Sequence, residues 1–485
     1  MTRVVIVGAG VGGLATAIRL AEAGHDVVVH ERSGVVGGKL GVYERDGYRF
    51  DTGPSLLTLP QVFQDLGLGL APVPVDPVVR HVFPDGTVLD SSSDPAVFRA
   101  RIADAFGLAA ADDWAAFWQR AERIWAASWG PVLQQPVTAA TLLRMSWRLR
   151  DLRAIAPGRS LRWLGRRYLR DPRLRMLLNR YATYTGADPR RAPAALAAIP
   201  YAELAFGGWY LPGGLGTLAT ALAARADALG VEIVLNSSVA AIEQSGGRVS
   251  GVRLAPGGSV PADVVVSNVD ALETYRELLP DAGRLGRLAD RSLAGFVLLL
   301  GVRGETPELA HHTVFFPRHY DNEFDAIFGD PGRGRRARPA DDPAILVTRA
   351  PDPAVRPAGR EAWFVLVNAP PHGTGWNAVD WRRPGLTEAY RDRILALLAA
   401  RGLDVRDRLD FAEVRTPADL AAATGAPGGS IYGTAGGLLR PANRGPLPGL
   451  YLVGGSTHPG GGLPMVTLSA RIVATEIESD LARRA

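Results

Sequence analysis

Each end of the chain carries an apolar run that is followed by a stretch with helical periodicity. Near the start, residues 4–7 and 27–29 are apolar runs, and between them apolar positions recur at the spacing of one helix face, at Leu14, Ala17, Ile18 and Ala21. This order predicts a βαβ unit. Near the other end, an apolar run at 450–453 and a glycine-rich loop at 454–465 precede a predicted helix at 466–480.

Between these ends, the pattern predicts two groups of strands and a helical region. Residues up to 70 are predicted to hold only the opening unit and a connecting loop, residues 76–95 a strand pair that turns at 84–86, and residues 95–205 helices. A glycine-rich turn at 213–216 is interpreted as the start of a helix. Further strands are predicted at 231–235, 239–242, 249–254, 262–266, 294–302, 344–349 and 362–369, a helix at 386–401 and a loop at 329–343.

We therefore predict an α/β protein with two interleaved domains. A discontinuous, Rossmann-like domain is expected to bind a dinucleotide, and a second domain with a mixed sheet is expected to bind the substrate and to include a helical, membrane-associating region. The first domain is assigned to residues 1–75, 213–275 and 430–485, and the second to residues 76–212 and 276–429.

The glycines after the first apolar run have a specific spacing, with Gly8, Gly10, Gly12 and Gly13 in one short turn. Gly8 permits the turn, Gly10 lets the backbone approach a pyrophosphate, and Gly13 lets the helix pack close to the strand. Glu31, after the second run, can accept hydrogen bonds from a ribose diol. The spacing favours a dinucleotide site over a turn without a ligand, and over a signal peptide, because no small-residue cleavage site follows.

Composition excludes several classes of protein. The chain has no cysteine, which excludes disulfides, thiolate-held iron–sulfur clusters and dithiol reductases, and its eight histidines show no metal-ligand spacing, so we expect no metal. The net charge of +5 is modest and no nucleic-acid-binding motif is present, so we expect no nucleic-acid partner. The longest apolar runs are too short to span a bilayer, which predicts a cytosolic or peripheral membrane protein.

The segment 141–180 is strongly basic, with twelve arginines against the two acids Asp151 and Asp171. It also carries an apolar stripe at helical spacing, made by Leu174, Leu177, Leu178 and Tyr181. A basic amphipathic helix of this kind can lie in an anionic bilayer interface and admit a lipid-dissolved substrate. The alternative is a helix packed on its own domain.

A second stripe consists of aromatic residues on one predicted helix face, at Trp114, Trp118, Trp125 and Trp129. It is interpreted either as ordinary core or as the wall of an apolar substrate channel.

These features resemble the bacterial-type carotenoid desaturases, the phytoene desaturase group within the amine-oxidase-like flavoproteins. The matching segments are 8–13, Glu31, 37–39, 51–55, 211–214, 310–314 and 453–464, so the resemblance covers nearly the whole chain. The tract at 180–184 and the C-terminal glycine-rich loop are most similar to members that act on later carotenoids, such as hydroxylated lycopene derivatives or neurosporenes.

The resemblance implies FAD as the cofactor and a desaturation in which a hydride passes to flavin N5 from a saturated bond beside a polyene. Because the chain has one complete dinucleotide fingerprint, we expect a quinone or oxygen, not a nicotinamide, as the electron acceptor. The residues expected to bind FAD are Gly8, Gly10, Gly12, Gly13, Glu31, Arg32, Gly37, Gly38, Lys39, Asp51, Thr52, Gly53, Pro54, Val239, Gly454, Gly455, Gly462, Pro464 and Met465.

Some of these residues have specific expected roles. Lys39 is interpreted as a cation near the phosphates or the flavin, or alternatively as a solvated lysine. Residues 51–54 are expected to approach the flavin face. Pro464 suits the first turn of a helix whose N-terminus would point at the flavin N1–O2 edge.

The resemblance also implies a catalytic acid–base pair, which we assign to Asp151 and Arg153; a surface salt bridge is the alternative. His458 is expected to make a structural hydrogen bond. Two other functions remain open, a flavin amine oxidase of the same fold and a non-enzymatic carrier of prenylated proteins. The expected location is cytoplasmic, with peripheral attachment to the cytoplasmic membrane.

Overall fold

The computed structural model of the chain describes residues 1–138, 148–255, 257–435 and 440–484. Two large sheets organise these residues, a five-stranded parallel sheet and a seven-stranded mixed sheet. Both sheets join strands that are far apart in the sequence, so both depend on tertiary contacts.

The parallel sheet has the strand order Glu232–Val234, Asp26–His30, Arg3–Val7, Val264–Ser267 and Leu450–Leu452. Its central strand is buried on both faces, which is why that strand is an unbroken apolar run in the sequence. One face packs against the helices Val11–Glu22 and Leu463–Ala482, which also contact each other. The other face packs against an antiparallel sheet formed by Val239–Ser245, Arg248–Leu254 and Ser259–Pro261.

The seven-stranded sheet has the strand order Leu409–Arg415, Ala294–Arg303, Arg360–Ala369, Ile345–Arg349, His312–Phe315, Arg80–Val82 and Val88–Asp90. One face packs against the helix Leu386–Ala400, with Trp363 fully buried in the shared core. Two smaller sheets are a hairpin and a three-stranded sheet, formed by Val42–Arg45 with Tyr48–Asp51 and by Leu57–Thr58, Gly208–Tyr210 and Val73–Val75.

The helical region consists of separate helices, of which Leu108–Ser128 is the longest described, with 21 residues. Those described are Pro95–Phe106, Leu108–Ser128, Leu149–Ile155, Leu161–Tyr168, Pro172–Arg180 and Ala198–Phe206. Three of them begin at a side chain that accepts hydrogen bonds from the first turn, namely Asp94, Ser160 and Asp171. The other helices are Gly216–Ala228, Ala271–Glu273, Ala282–Leu288, Tyr320–Phe328, Leu386–Ala400, Pro417–Thr424 and the two at the chain ends. No helix in the described ranges is both long and apolar enough to cross a bilayer.

Most predicted elements are confirmed, and three predictions need correction. The C-terminal helix begins at Leu463 and not at 466, because Pro464 occupies its first turn, where no N–H is needed. The predicted connecting loop contains the hairpin Val42–Arg45 and Tyr48–Asp51, which alternates charged and aromatic residues without an apolar run. Strands His312–Phe315 and Leu409–Arg415 were also not predicted.

The apolar stripe of the basic segment faces the interior of the protein. All four of its residues, Leu174, Leu177, Leu178 and Tyr181, are buried in a core shared with the helices Leu108–Ser128 and Leu161–Tyr168. The packed alternative is therefore correct for this stripe. Residues 141–147 of the same segment lie outside the described residues. The strands of the parallel sheet all come from the three segments assigned to the first domain, but the domain boundaries themselves stay a prediction.

Candidate functional site

One open cavity of about 1640 Å³ extends from the parallel sheet into the helical region. The glycines of the N-terminal turn line one side, and the helices Leu108–Ser128 and Ala198–Phe206 contribute to the other. Pockets for one small ligand usually measure roughly 300–1,000 Å³. This cavity therefore has room for an extended cofactor together with a second long ligand.

The first side of the cavity lies at the carboxyl edge of the parallel sheet. Gly8, Glu31 and Asn268 each come directly after one of its strands, and Gly454 follows another after one residue. All four line the cavity. Open α/β sheets bind their ligands outside this edge, so the fold brings the predicted turn and the C-terminal loop to one site.

The glycines at this edge have no room for side chains. A Cβ on Gly13 would lie 2.1 Å from the carbonyl oxygen of Gly8, and a Cβ on Gly12 would lie 2.7 Å from Asn268 Oδ1 and 3.3 Å from Gly454 Cα. A Cβ on Gly38 would lie 3.3 Å from Gly10 Cα. Three segments thus approach one another with bare backbone, as the recognition of a pyrophosphate by N–H groups requires.

Glu31 connects the two loops beside it. Its Oε2 accepts a hydrogen bond from the N–H of Ala9 at 2.8 Å, and its Oε1 accepts one from the N–H of Ser33, also at 2.8 Å. Each carboxylate oxygen has a second lone pair, and the side chain lines the cavity. A ribose diol can therefore bind here without breaking these two contacts.

Two helix N-termini face the same cavity. Gly10 precedes the helix Val11–Glu22 and Gly462 precedes the helix Leu463–Ala482, and neither helix has a side chain that caps its first N–H groups. Gly462 has a φ of +101°, a conformation that favours glycine. The positive end of each helix dipole is thus open to negative charge on a ligand.

The helical side of the cavity is mostly apolar but holds one buried polar cluster. Glu203 accepts hydrogen bonds from Tyr181 Oη at 2.8 Å and Tyr184 Oη at 2.9 Å. The guanidinium of Arg180 lies 5.1 Å from the centroid of the Tyr184 ring. Apolar residues around the cluster form the wall, among them Leu56, Leu196, Ile199, Val314 and Leu346.

Comparison with known proteins identifies the family. A model of the family described as flavin containing amine oxidoreductase matches residues 11–295. The chain belongs to this family. The 4,4'-diapolycopene oxygenase of Methylomonas sp. is 36% identical over 99% of this chain and 98% of its own length. The hydroxyneurosporene desaturase of Cereibacter sphaeroides is 35% identical over 99% and 98%, respectively.

The fold is that of the same superfamily. An oxidoreductase from Methanosarcina mazei superposes with a TM-score of 0.64 at 16% identity, covering 98% of this chain and 100% of that protein. Membership of the flavin-containing amine oxidoreductase family, with relatives that are carotenoid desaturases and oxygenases, confirms the predicted family, the class of oxidoreductase and FAD as the cofactor.

The residues of this flavoprotein's cavity fit FAD. The uncovered backbone, the two helix N-termini and Glu31 supply the donors and acceptors that a dinucleotide needs. The predicted FAD residues that line the cavity are Gly8, Gly10, Gly12, Glu31, Arg32, Gly37, Gly38, Lys39, Thr52, Gly53, Pro54, Val239, Gly454, Gly455, Gly462, Pro464 and Met465. Their individual contacts with FAD stay predictions.

Two residues that were predicted to bind FAD, Gly13 and Asp51, are not among the described residues that line the cavity. Gly13 packs the first helix onto the Gly8 turn, as described above, and acts on the site only through that packing. Asp51 accepts hydrogen bonds from the N–H groups of Leu215 and Gly216, at 2.7 and 2.8 Å. Asp51 thus caps the start of the helix Gly216–Ala228, because a carboxylate is the natural partner of free helix N–H groups. The glycine-rich turn at 213–216 is therefore a helix start, as predicted.

Lys39 is not a solvated lysine. Its Nζ donates to the carbonyl oxygens of Ser430 and Ile431, at 2.8 and 2.9 Å. Burial lowers the pKa of Lys39 to about 8. Lys39 therefore connects the glycine loop at 37–39 to the chain segment that contains Ser430 and Ile431.

The structure does not bring Asp151 and Arg153 to the cavity. Asp151 forms an ion pair with Arg148 at 2.8 Å, one helical turn away, and Arg153 is exposed. Neither residue lines the cavity. The assignment of this pair as catalytic needs correction, because the short helix Leu149–Ile155 turns both side chains toward other surroundings.

The aromatic stripe contains both core residues and a residue of the cavity wall. Trp114 is 3% exposed and belongs to the core, whereas Trp125 lines the cavity and stacks on Trp129 with ring centroids 4.5 Å apart. His458 makes the expected structural contacts, since its Nε2 lies 2.9 Å from the carbonyl oxygen of Gln135 and 3.1 Å from that of Val132.

In the ranges that the structure describes, no group of three or more His, Asp and Glu side chains is arranged to hold a metal.

Several residues of the site were not predicted from the sequence. Asn268 had no predicted role, although its side-chain amide donates to the carbonyl oxygen of Gly8 at 3.3 Å. Glu203 stands alone in an apolar helix, and an isolated acid inside such a helix was the available signal. Tyr320 and His312 gave no signal of spacing, because their elements join the cavity only in the folded chain.

Proposed function

We propose that this protein is an FAD-dependent desaturase that introduces double bonds into a long polyene of the carotenoid class. The observation that carries the proposal is the continuous cavity in which the glycine loops of the cofactor site meet a long apolar wall. The names of the two relatives, one a hydroxyneurosporene desaturase and one a diapolycopene oxygenase, support the substrate class.

Desaturation removes a hydride and a proton from neighbouring carbons, and bound FAD supplies the hydride acceptor. Positive charge that develops on the substrate beside a polyene is delocalised, so the chain needs little covalent chemistry. Its tasks are to exclude water and to hold the reacting bond in position, and the apolar wall with Leu196, Ile199 and Leu346 suits both. The positive end of the dipole of the helix Leu463–Ala482 would stabilise negative charge on a bound flavin.

The proton needs an acceptor on the cavity wall, and we assign Glu203 to this role. Glu203 is 2% exposed, lines the cavity on its helical side, and is held in place by Tyr181 and Tyr184. Two fixed hydroxyl donors orient a carboxylate and leave lone pairs for a proton.

A second candidate function is oxidation of the polyene with incorporation of oxygen. The 36% identity to a diapolycopene oxygenase favours it. The two reactions differ in their products, since desaturation removes two hydrogens and oxygenation adds oxygen and requires O₂.

The amine oxidase alternative has less support. An amine substrate is a cation, and the guanidinium of Arg180 lines the helical side of the cavity. Like charges in a buried site repel each other, so this wall is better suited to a neutral ligand.

To test the function, the flavin-loaded protein is incubated without oxygen, in vesicles that contain a carotenoid panel and a quinone. With the quinone we expect the product to gain conjugation with the loss of two hydrogens by mass spectrometry, and without it we expect the flavin absorbance to bleach. A reaction that requires O₂ and adds oxygen would favour the second candidate. Bleaching by amines but by no polyene would contradict the proposal. The same assay, with quinone or oxygen supplied singly, identifies the electron acceptor, for which we propose one of these two.

We further propose that the protein binds the surface of the cytoplasmic membrane from the cytoplasmic side. Trp163 is 39% exposed, and the surrounding segment 148–170 contains one acid. The exposed arginines of this segment are Arg148, Arg150, Arg153, Arg159, Arg166, Arg167 and Arg170. Basic side chains beside an exposed tryptophan favour an anionic lipid surface, where a polyene substrate would be dissolved.

Sedimentation with vesicles tests this attachment. We expect the protein to pellet with anionic vesicles at low salt, less so at high salt, and little with zwitterionic vesicles. Trp163→Ala with Arg166→Glu and Arg167→Glu should release most of it, whereas Arg318→Met, at an exposed arginine outside the segment, should not. Equal pelleting of all variants would contradict the proposal.

A further inference from the structure

Besides Ser128 Oγ, three polar atoms on the helical side of the cavity are buried without a hydrogen-bond partner among the described residues. They are Arg180 Nη1, Tyr320 Oη and His312 Nδ1. All three side chains line the cavity, and Arg180 and Tyr320 are only 7% and 5% exposed. Because a buried polar group without a partner costs free energy, this cluster indicates a ligand that supplies the missing contacts.

The strongest evidence for such a ligand is the guanidinium of Arg180. Among the described residues, no ion pair or side-chain hydrogen bond uses its guanidinium, which contacts the face of the Tyr184 ring. A guanidinium has five N–H donors and no acceptor. The ligand must therefore present an atom that accepts hydrogen bonds, which the end of a plain hydrocarbon does not.

Two of the groups near Arg180, the side chains of Tyr320 and His312, are neutral. Burial raises the pKa of Tyr320 well above the ordinary value of a phenol, and the charge of Arg180 opposes that rise. Burial lowers the pKa of His312 far below its ordinary value, and the charges of His311 and Arg180 act in the same direction. Tyr320 thus keeps a hydroxyl hydrogen that it can donate beside the guanidinium.

The charge of the ligand follows from Glu203. This carboxylate accepts its hydrogen bonds from two tyrosines and forms no ion pair with Arg180 among the described residues, but its negative charge raises the pKa of the guanidinium. A cation that already has a nearby balancing carboxylate needs no second anion. The missing partner is therefore an uncharged oxygen.

We propose that Arg180 and Tyr320 form a subsite that binds a hydroxyl or carbonyl oxygen at the end of the polyene. The proposal rests on the proposed function, since it places the end of the same substrate on the helical side of the cavity. Arg180 Nη1 and Tyr320 Oη donate to the oxygen, and His312 Nδ1 is the third polar atom of the subsite. The two donors are specificity-determining residues, because they select an oxygen-bearing end over a hydrocarbon end.

The test compares polyenes of equal length and conjugation whose ends are hydrocarbon, hydroxyl, aldehyde or carboxylate. The flavin-loaded full chain is assayed in vesicles, and the measured quantity is the ratio of kcat/KM for each oxygenated polyene to that for the hydrocarbon. We expect Arg180→Met to lower the hydroxyl and aldehyde ratios about 10- to 100-fold and Tyr320→Phe to lower them about 2- to 10-fold. Arg180→Lys should lie between the wild type and Arg180→Met, and the exposed control Arg318→Met should keep the wild-type ratio.

Binding without turnover gives an independent readout. Trp125 lines the cavity, so a bound polyene quenches its fluorescence, and the same ratios can be formed from dissociation constants. If no polyene is turned over but the binding ratios fall as expected, the proposed function fails and the subsite stands. The subsite is overturned by ratios that do not change in either variant, by a carboxylate end that binds better than a hydroxyl end, or by loss of flavin from Arg180→Met with equal effects on all polyenes.

Discussion

The two sides of the cavity are built in different ways. The cofactor side depends on exposed backbone, with glycines such as Gly12 and Gly13 that leave no room for a Cβ, and on the acid Glu31. The substrate side consists of single side chains, such as Arg180 and Tyr320, that stand in an apolar wall. Phosphates are bound by N–H groups, which requires tight turns and therefore glycine, whereas a polyene needs only apolar surface. The first requirement leaves a motif in the sequence and the second does not.

The largest effect is expected on the cofactor side, where one added methyl group should prevent the binding of flavin. In Gly13→Ala the new Cβ would lie 2.1 Å from the Gly8 carbonyl oxygen, and a backbone atom cannot move away cheaply. We expect the purified variant to retain less than about a tenth of the flavin and to melt at a lower temperature. The control is Gly286→Ala, where the added Cβ meets nothing within 4 Å. Flavin absorbance per mole of protein decides the outcome, and a fully yellow Gly13→Ala protein would contradict the packing argument.

On the substrate side, the matching change is Glu203→Gln, which keeps the shape of the side chain but removes the proton acceptor. We expect turnover of a polyene to fall about 10²- to 10⁴-fold while flavin content stays normal. Stopped-flow bleaching of the flavin under single-turnover conditions measures the step directly. An unchanged bleaching rate would remove Glu203 from the mechanism and leave the two tyrosines as a structural cluster.

A smaller effect is expected at the edge of the cofactor side. Glu31→Ala removes an acceptor from the N–H groups of Ala9 and Ser33, and it removes the predicted contact with the ribose. We expect the dissociation constant of FAD to rise about 10- to 100-fold, because hydrogen bonds to a charged group are worth about 1.5–3 kcal/mol each. Equilibrium dialysis measures the change, with the exposed acid Glu478→Ala as a control. Equal affinities for the two variants would leave Glu31 without a role in FAD binding.

The smallest effect concerns pH and Glu323, a buried acid in the same helix as Tyr320. Burial raises the pKa of Glu323 to about 7, although Ala344 N–H and the Asn368 amide donate to it. Because this pKa lies above that of the unfolded chain, the contribution of Glu323 to stability is full below pH 4.5 and is lost as the pH rises through 7. Between pH 5 and 8 the melting temperature of the wild type should therefore fall by roughly 2–5 °C more than that of Glu323→Gln. Parallel curves for the two proteins would show that Glu323 does not titrate in this range.

The incorrect and the missed predictions have a common cause. Asp51 stands beside a motif, but its carboxylate serves the start of a helix that begins at residue 216, more than 160 positions later. Asp151 and Arg153 were assigned from the resemblance to the family, but neither is among the described residues that line the cavity. Asn268 contacts the Gly8 turn only because two strands that are distant in the sequence become neighbours. In each case the missing information was which distant segment packs beside the residue.

The sequence alone determined the main strands of the parallel sheet, its two glycine turns, the acid Glu31 after the second strand and the family, because each of these depends on short-range geometry that few residue types satisfy. The tertiary structure decided the buried cluster around Arg180, the position of Lys39 and the inward face of the stripe at Leu174 and Leu177. Those features depend on burial and on partners far away in the chain. Hydrophobic and ionisable side chains have no fixed role until packing determines what surrounds them.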